Sequence, residues 1–394
     1  MASQASEIVA DSLARETIAT NSVALRSGLV PRFAALVSAM LEWVFGALSL
    51  IVGLAVLATI PIVQLVSLGY LLEASGRVAR SGRVRAGFVG VRKAAVIGRI
   101  VIGVSLLMAP LWLASSLRSA ARLIDPESRA ARGWSAALVV LSVIVLSQIA
   151  SAMLRGGRIR HFLWPRPLTT FRLLKEPGAY CRARDSVCDF LLDLHLPHYF
   201  SLGLRGFVGA AAWLAVPISL LAAASRLTPG AGFAAAIIGG AWLALVLLHL
   251  PFLQARFAAE NRLGAMFELR AQRRQFAEAP VAFFIALAVT LALALPLYLL
   301  KIEILPREAA WLPSLLFVVS IFPARLSSGW ALARANRADK PRGRLWCWPC
   351  RLAMVGVVLA YVFLAYFTQY LSWYGVWSLY EQHAFLVPAP FLEF

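Results

Sequence analysis

The sequence predicts an all-α fold: a polytopic transmembrane helix bundle of about eight spans, with amphipathic helices along its cytoplasmic surface. Two observations carry this. First, 60% of the 394 residues are hydrophobic and 14% are charged, with a mean hydropathy of +0.76. Soluble domains carry about 25% charged residues, and a surface this apolar needs a bilayer as its solvent. Second, basic residues gather in every second gap between long apolar runs. The formal charge of +19 would suggest nucleic acid for a soluble protein. In a membrane chain it reads as attraction to anionic lipid headgroups, with no nucleic-acid partner.

Taken in order, residues 1–32 form a polar tail with Glu7, Asp11 and Glu16 and no apolar core of a secretory signal. The bundle occupies 33–373. Spans of roughly 20 apolar residues fall at about 43–63, 94–116, 134–154, 203–224, 232–254, 281–300, 311–332 and 352–373. From Phe33 to Leu72 only Glu42 is charged. That run holds one span plus an interfacial helix or, as a nine-span alternative, two crossings. Pro61 lacks an amide donor and should bend or end the helix. Residues 374–394 form an outer-interface tail; Trp373, Tyr374, Trp377 and Tyr380 cluster at its start with no basic residue.

The basic gaps run from Arg77 to Lys93, Arg155 to Arg184, Arg256 to Arg274 and Arg334 to Arg351. Positive-inside bias places them in the cytoplasm and both termini outside. Two gaps contain helical patterns, Tyr180–Leu194 and Phe257–Phe276, suited to the interface plane. The candidate ligands for lipid headgroups are Arg77, Arg80, Arg83, Arg85, Arg158, Arg160, Arg273 and Arg274.

A parallel repeat over 43–154 and 232–332 is suggested by Pro61-Ile-Val-Gln64 against Pro251-Phe-Leu-Gln254, and by Pro110-Leu-Trp-Leu113 against Pro296-Leu-Tyr-Leu299. Polar groups inside spans are functional candidates by default. Gln64 and Gln254 stand beside kink prolines, and Arg325 follows Pro323. Arg99 and Arg205 lie close enough to the cytoplasmic end to snorkel, and Glu42 suits the outer interface beside Trp43.

Cys347-Trp-Pro-Cys350 has the spacing of a redox or metal pair, but it lies in a reducing, basic gap. Cys181 and Cys188 would stand about 10.5 Å apart along a helix, too far to complete one zinc site. Asp189, Asp193, His195 and His198 are ligand types whose helical spacing Pro197 interrupts, so they read as a water-facing stripe. No metal or cofactor is expected. The absence of Gly-x-x-x-x-Gly-Lys-Ser/Thr, His-Glu-x-x-His and Gly-x-Ser-x-Gly excludes ATP-driven pumps and common membrane hydrolases that rely on them.

The stretch Leu68-Gly-Tyr-Leu-Leu-Glu-Ala-Ser-Gly-Arg-Val-Ala-Arg80 follows a proline-ended span and precedes a basic loop. It resembles an uncharacterised family of bacterial multi-pass membrane domains, a domain of unknown function. That family is broadly similar to the membrane domains attached to some glycerophosphodiester phosphodiesterases. The resemblance covers about residues 45–115, with an echo at 240–300. It implies the architecture and an inner-membrane location, and no catalytic residue. The expectation is a non-enzymatic scaffold or lipid-interacting protein. The alternatives are a secondary transporter or an enzyme on lipid-linked substrates.

Overall fold

The structure, a computed structural model, describes residues 33–157, 159–164, 178–299, 311–338 and 340–368, and no strand occurs among them. Among the described residues seven helices are long and apolar enough to cross a membrane: Phe33–Thr59, Val91–Ile124, Arg129–Met153, Val187–Ala224, Pro229–Glu260, Leu312–Ala335 and Leu345–Phe367. The bent pair Leu269–Glu278 and Pro280–Ala294 makes eight if it acts as one span. The chain is therefore an all-α polytopic bundle. The tails 1–32 and 374–394 and Arg158 lie outside the described residues.

The first apolar run divides where Pro61 interrupts helical hydrogen bonding. Helix α1 (Phe33–Thr59) ends just before it, Ile62 takes a left-handed φ of 70°, and α2 (Gln64–Ser81) begins anew. The chain then forms two compact units. The first, Met1–Leu50 with Val91–Pro165, holds α3 (Val91–Ile124), α4 (Arg129–Leu154) and the short α5 (Ile159–Leu163). Ser128 caps α4 by accepting the Ala131 amide at 3.1 Å. Phe162 of α5 is buried at Gly103, where an added Cβ would stand 2.5 Å from its ring. Gln148 donates to the carbonyls of His161 and Phe162 at 3.0 and 3.1 Å, tying α5 to α4.

One expectation is corrected in this unit. The sequence suits Glu42 to the outer interface and Arg99 to the cytoplasmic end of the next span, yet the two meet at 3.4 Å. The reason is that α1 starts at Phe33 rather than residue 43, so Glu42 lies within the helix. Gly46 confirms the contact: a Cβ there would stand 2.5 Å from the Val91 carbonyl. The middle of α1 thus packs on the first turns of α3.

The second unit comprises Ile51–Gly90 and Arg166–Phe394. It contains α2, α6 (Ala179–Leu192), α7 (Leu196–Ala224), α8 (Pro229–Glu260), α9 (Leu269–Glu278), α10 (Pro280–Ala294), α11 (Pro296–Leu299), α12 (Trp311–Ala335) and α13 (Arg344–Thr368). At its centre α2 is enclosed by α7, α8 and α12. Glycines make that approach possible. A Cβ on Gly69 would lie 1.7 Å from the Tyr199 carbonyl oxygen, and one on Gly329 would lie 2.3 Å from that of Ser75. The Tyr70 and Phe322 rings are 6.2 Å apart, and Arg337 donates to the Ser81 carbonyl at 2.6 Å. These contacts make α2 parallel to α12. Its 18 residues extend about 27 Å. Such a helix can carry Glu73, Arg77 and Arg80 because protein, not lipid, surrounds most of it.

The proline tetrapeptides occupy unlike places, while the ends of α2 and α8 share backbone angles. Pro61 sits in the turn before α2, whereas Pro251 is buried inside α8. Pro110 is inside α3, whereas Pro296 opens α11. The matching positions are instead the ends of α2 and α8. Gly82 (φ 66°) and Asn261 (φ 52°) both close their helices in the left-handed region. Arg83 (φ −114°, ψ 118°) and Arg262 (φ −126°, ψ 115°) then extend the chain into 3-10 turns, Val84–Gly87 and Leu263–Phe267. The sequences align as Arg83-Val-Arg-Ala-Gly-Phe88 and Arg262-Leu-Gly-Ala-Met-Phe267.

Candidate functional site

The polar chemistry of the second unit begins at the C-terminal ends of α2 and α8. Glu73 is 7% exposed, and burying a carboxylate demands compensating charge. Its Oε1 accepts from Arg77 Nε at 2.8 Å and Arg80 Nη2 at 3.0 Å. Its Oε2 lies 3.7 Å from His198 Nε2. Arg80 also donates to the carbonyls of Ala258 and Ala259 at 3.0 Å. Those carbonyls belong to the last turn of α8, where a cation offsets the negative end of the helix dipole.

The same solution recurs nearby. Arg205 of α7 donates to Asn261 Oδ1 at 2.8 Å. Arg256 donates to Glu260 and Glu268, both at 2.6 Å, and Arg262 donates to the same two carboxylates at 2.9 and 2.6 Å. Its hydrogen bonds to the Glu260 and Glu268 carboxylates hold the Arg262 guanidinium pKa above its ordinary value. Many of the arginines that signal membrane orientation are thus bound within the protein. Arg77 and Arg80, expected on lipid headgroups, are among them.

Arg83 and Arg85 are exposed at the 3-10 turn after α2, and Arg160 is exposed on α5. Arg273 and Arg274 are exposed on α9, whose other face buries Gln272 and Phe276. Ala279 (φ −139°, ψ 56°) and Pro280 break the chain there, and α9 is bent 110° from α10. The expected interfacial helix at 257–276 is therefore shorter and later: α8 continues to Glu260, a 3-10 turn intervenes, and only Leu269–Glu278 turns aside.

Of the three intramembrane candidates, two come together. Arg325 of α12 donates to Gln254 Oε1 of α8, with the residues 3% and 0% exposed. The arginine reaches across to a neighbouring helix rather than back to the carbonyl that Pro323 frees. No hydrogen bond joins the half-buried Gln64, at the start of α2, to either. His198 turns to Glu73, while Asp189 and Asp193 are exposed. All four cysteines are free. Among the described residues no group of three or more His, Cys, Asp or Glu is placed to hold a metal.

Beside α9 lies a cavity of about 370 Å³ between α8, α9, α10 and α13. Its polar lining is His249, Gln272, Arg273 and Arg351, and its apolar lining includes Leu245, Phe276, Phe283 and Val355. Of these only Arg273 is among the lipid-headgroup candidates the sequence offers. One signal was legible: His249 interrupts the apolar run Trp242–Leu253, and an ionisable group inside a span marks a candidate. The chain matches no family model, no curated protein and no solved structure.

Proposed function

We propose that this protein is a non-enzymatic, multi-pass component of a bacterial inner membrane. Its arginine-rich face lies in the cytoplasm, holds anionic lipid headgroups and scaffolds a membrane-associated process. The observation that carries this reading is α9. A helix bent 110° from the next one, with Phe276 buried and Arg270, Arg273 and Arg274 exposed, suits a position in the interface plane. Each basic residue near an anionic surface contributes about 1 kcal/mol. Native mass spectrometry of the full-length protein with phosphatidylglycerol and phosphatidylcholine tests it. Retention should favour the anionic lipid and fall in the Arg270→Gln/Arg273→Gln/Arg274→Gln variant. Indifference to headgroup charge rejects the reading.

The orientation follows the same arginines. The middle of α1 packs on the first turns of α3, which carry Arg92 and Lys93. This supports a start of α1 on the cytoplasmic side. If α2, parallel to α12, also crosses, the nine-span alternative holds. The N-terminus is then cytoplasmic and the C-terminus outside. In spheroplasts, a tag after Phe394 should react with impermeant reagents and a tag before Met1 should not; the reverse pattern discards the orientation.

A further inference from the structure

We propose that the cavity beside α9 is a seat for one phospholipid whose headgroup combines a phosphate with hydroxyls, as phosphatidylglycerol does. This deepens the lipid-binding reading and rests on it. The cavity, about 370 Å³, lies within the range of small-molecule sites. Its lining divides into two chemistries.

The first is cationic. Arg273 and Arg351 stand on different helices, α9 and α13, and both line the cavity. Among the described residues no carboxylate pairs with either, in contrast to Arg256 and Arg262 next to the same helix. The Arg351 guanidinium lies 5.6 Å from the Phe276 ring centre and 5.9 Å from that of Trp348. Ring contact holds its plane while leaving its N–H edge for an acceptor, and a guanidinium edge matches a phosphate.

The second chemistry is that of buried acceptors. Gln272 is 4% exposed and its Oε1 has no hydrogen-bond partner among the described residues. A buried polar atom left so is costly, and a ligand donor would relieve it. His249, 9% exposed, donates from Nδ1 to the Leu245 carbonyl at 2.8 Å. In the neutral ring Nε2 is then a second acceptor. Two cations with two acceptors are complementary to an anion that also bears hydroxyls. An ammonium headgroup would meet the two guanidiniums as a like charge.

The source is lipid rather than free phosphate because the cavity wall is continuous with the outer apolar surface. Leu245 and Val355 both line it and are 46% and 39% exposed. Acyl chains can leave along them while the phosphate stays at the level of α9.

The test uses the full-length protein in detergent, with phosphatidylglycerol as probe, inorganic phosphate as competitor and native mass spectrometry as readout. One tightly held phosphatidylglycerol is expected. Arg273→Gln and Arg351→Gln should each weaken it about tenfold, the loss of one charge-assisted contact, whereas Arg274→Gln should not. Val355→Trp, which leaves every arginine in place, should also weaken retention by filling the membrane-side wall; thermal unfolding confirms that each variant is folded. Equal losses for Arg273→Gln and Arg274→Gln overturn the discrete seat but leave general headgroup binding standing. Displacement by millimolar inorganic phosphate makes it a free-anion site and overturns the lipid assignment. Absence of any preference for anionic lipid removes both readings.

Discussion

The basic stretches of α2 and α9 look alike in sequence, and the structure uses them in opposite ways. Arg77 and Arg80 are bound to the buried Glu73, and Arg80 also caps α8. Arg273 and Arg274 are exposed on a helix turned aside from its neighbour, Arg273 lining a cavity and Arg274 lying 3.5 Å from Glu278. The difference lies in what each helix has within reach. α2 is enclosed and lies against the carbonyl end of another helix, where a guanidinium is the matching partner. α9 has one buried face and one open face. Near a membrane, carboxylates and helix C-termini compete with lipid for an arginine.

This contrast can be broken experimentally, most severely at the glycines. Gly69→Leu should abolish the folded state in detergent, measured by size exclusion and thermal unfolding, because even a Cβ would lie 1.7 Å from the Tyr199 carbonyl and backbone cannot yield cheaply. Gly356→Ala, where an added Cβ meets nothing within 4 Å, should leave stability unchanged or slightly raised. If both behave alike, α2 is not held by close packing.

The next effect is at Glu73. Removing one partner of a buried ion pair costs about 3–5 kcal/mol. Arg77 and Arg80 are 47% and 46% exposed, so solvent screening reduces the expected loss for Glu73→Gln to about 2 kcal/mol. Thermal unfolding would register it as a drop of several degrees. An unaltered Tm would mean that the cluster contributes no stability. The smallest effect belongs to α9: Arg274→Gln should alter stability by less than about 0.5 kcal/mol while weakening general association with anionic lipid in a salt-dependent way. A large stability loss there would show that α9 resembles α2 after all.

Several features were legible because they are local. Pro61 ends α1 since a missing amide and a ring clash act within one turn. Arg325 and Gln254 stood out as polar groups in apolar surroundings, yet nothing in their spacing revealed that they bond to one another across two helices. The proline tetrapeptides suggested a repeat whose members occupy unlike positions. The backbone likeness of Gly82-Arg83 and Asn261-Arg262 depends on angles that composition does not report. Gln272 and Arg351 looked like ordinary residues of basic gaps until four helices closed around them.

From the chain alone one could establish the membrane as solvent, the helical class, the approximate spans and the side that gathers positive charge. Each follows from the transfer energy of side chains taken a few at a time. Tertiary structure alone determined that α2 is an internal helix rather than a surface one, because hydropathy records contact with lipid and α2 is surrounded largely by protein. It also determined which arginines are consumed and which face a cavity, since that rests on charges brought together from distant parts of the chain.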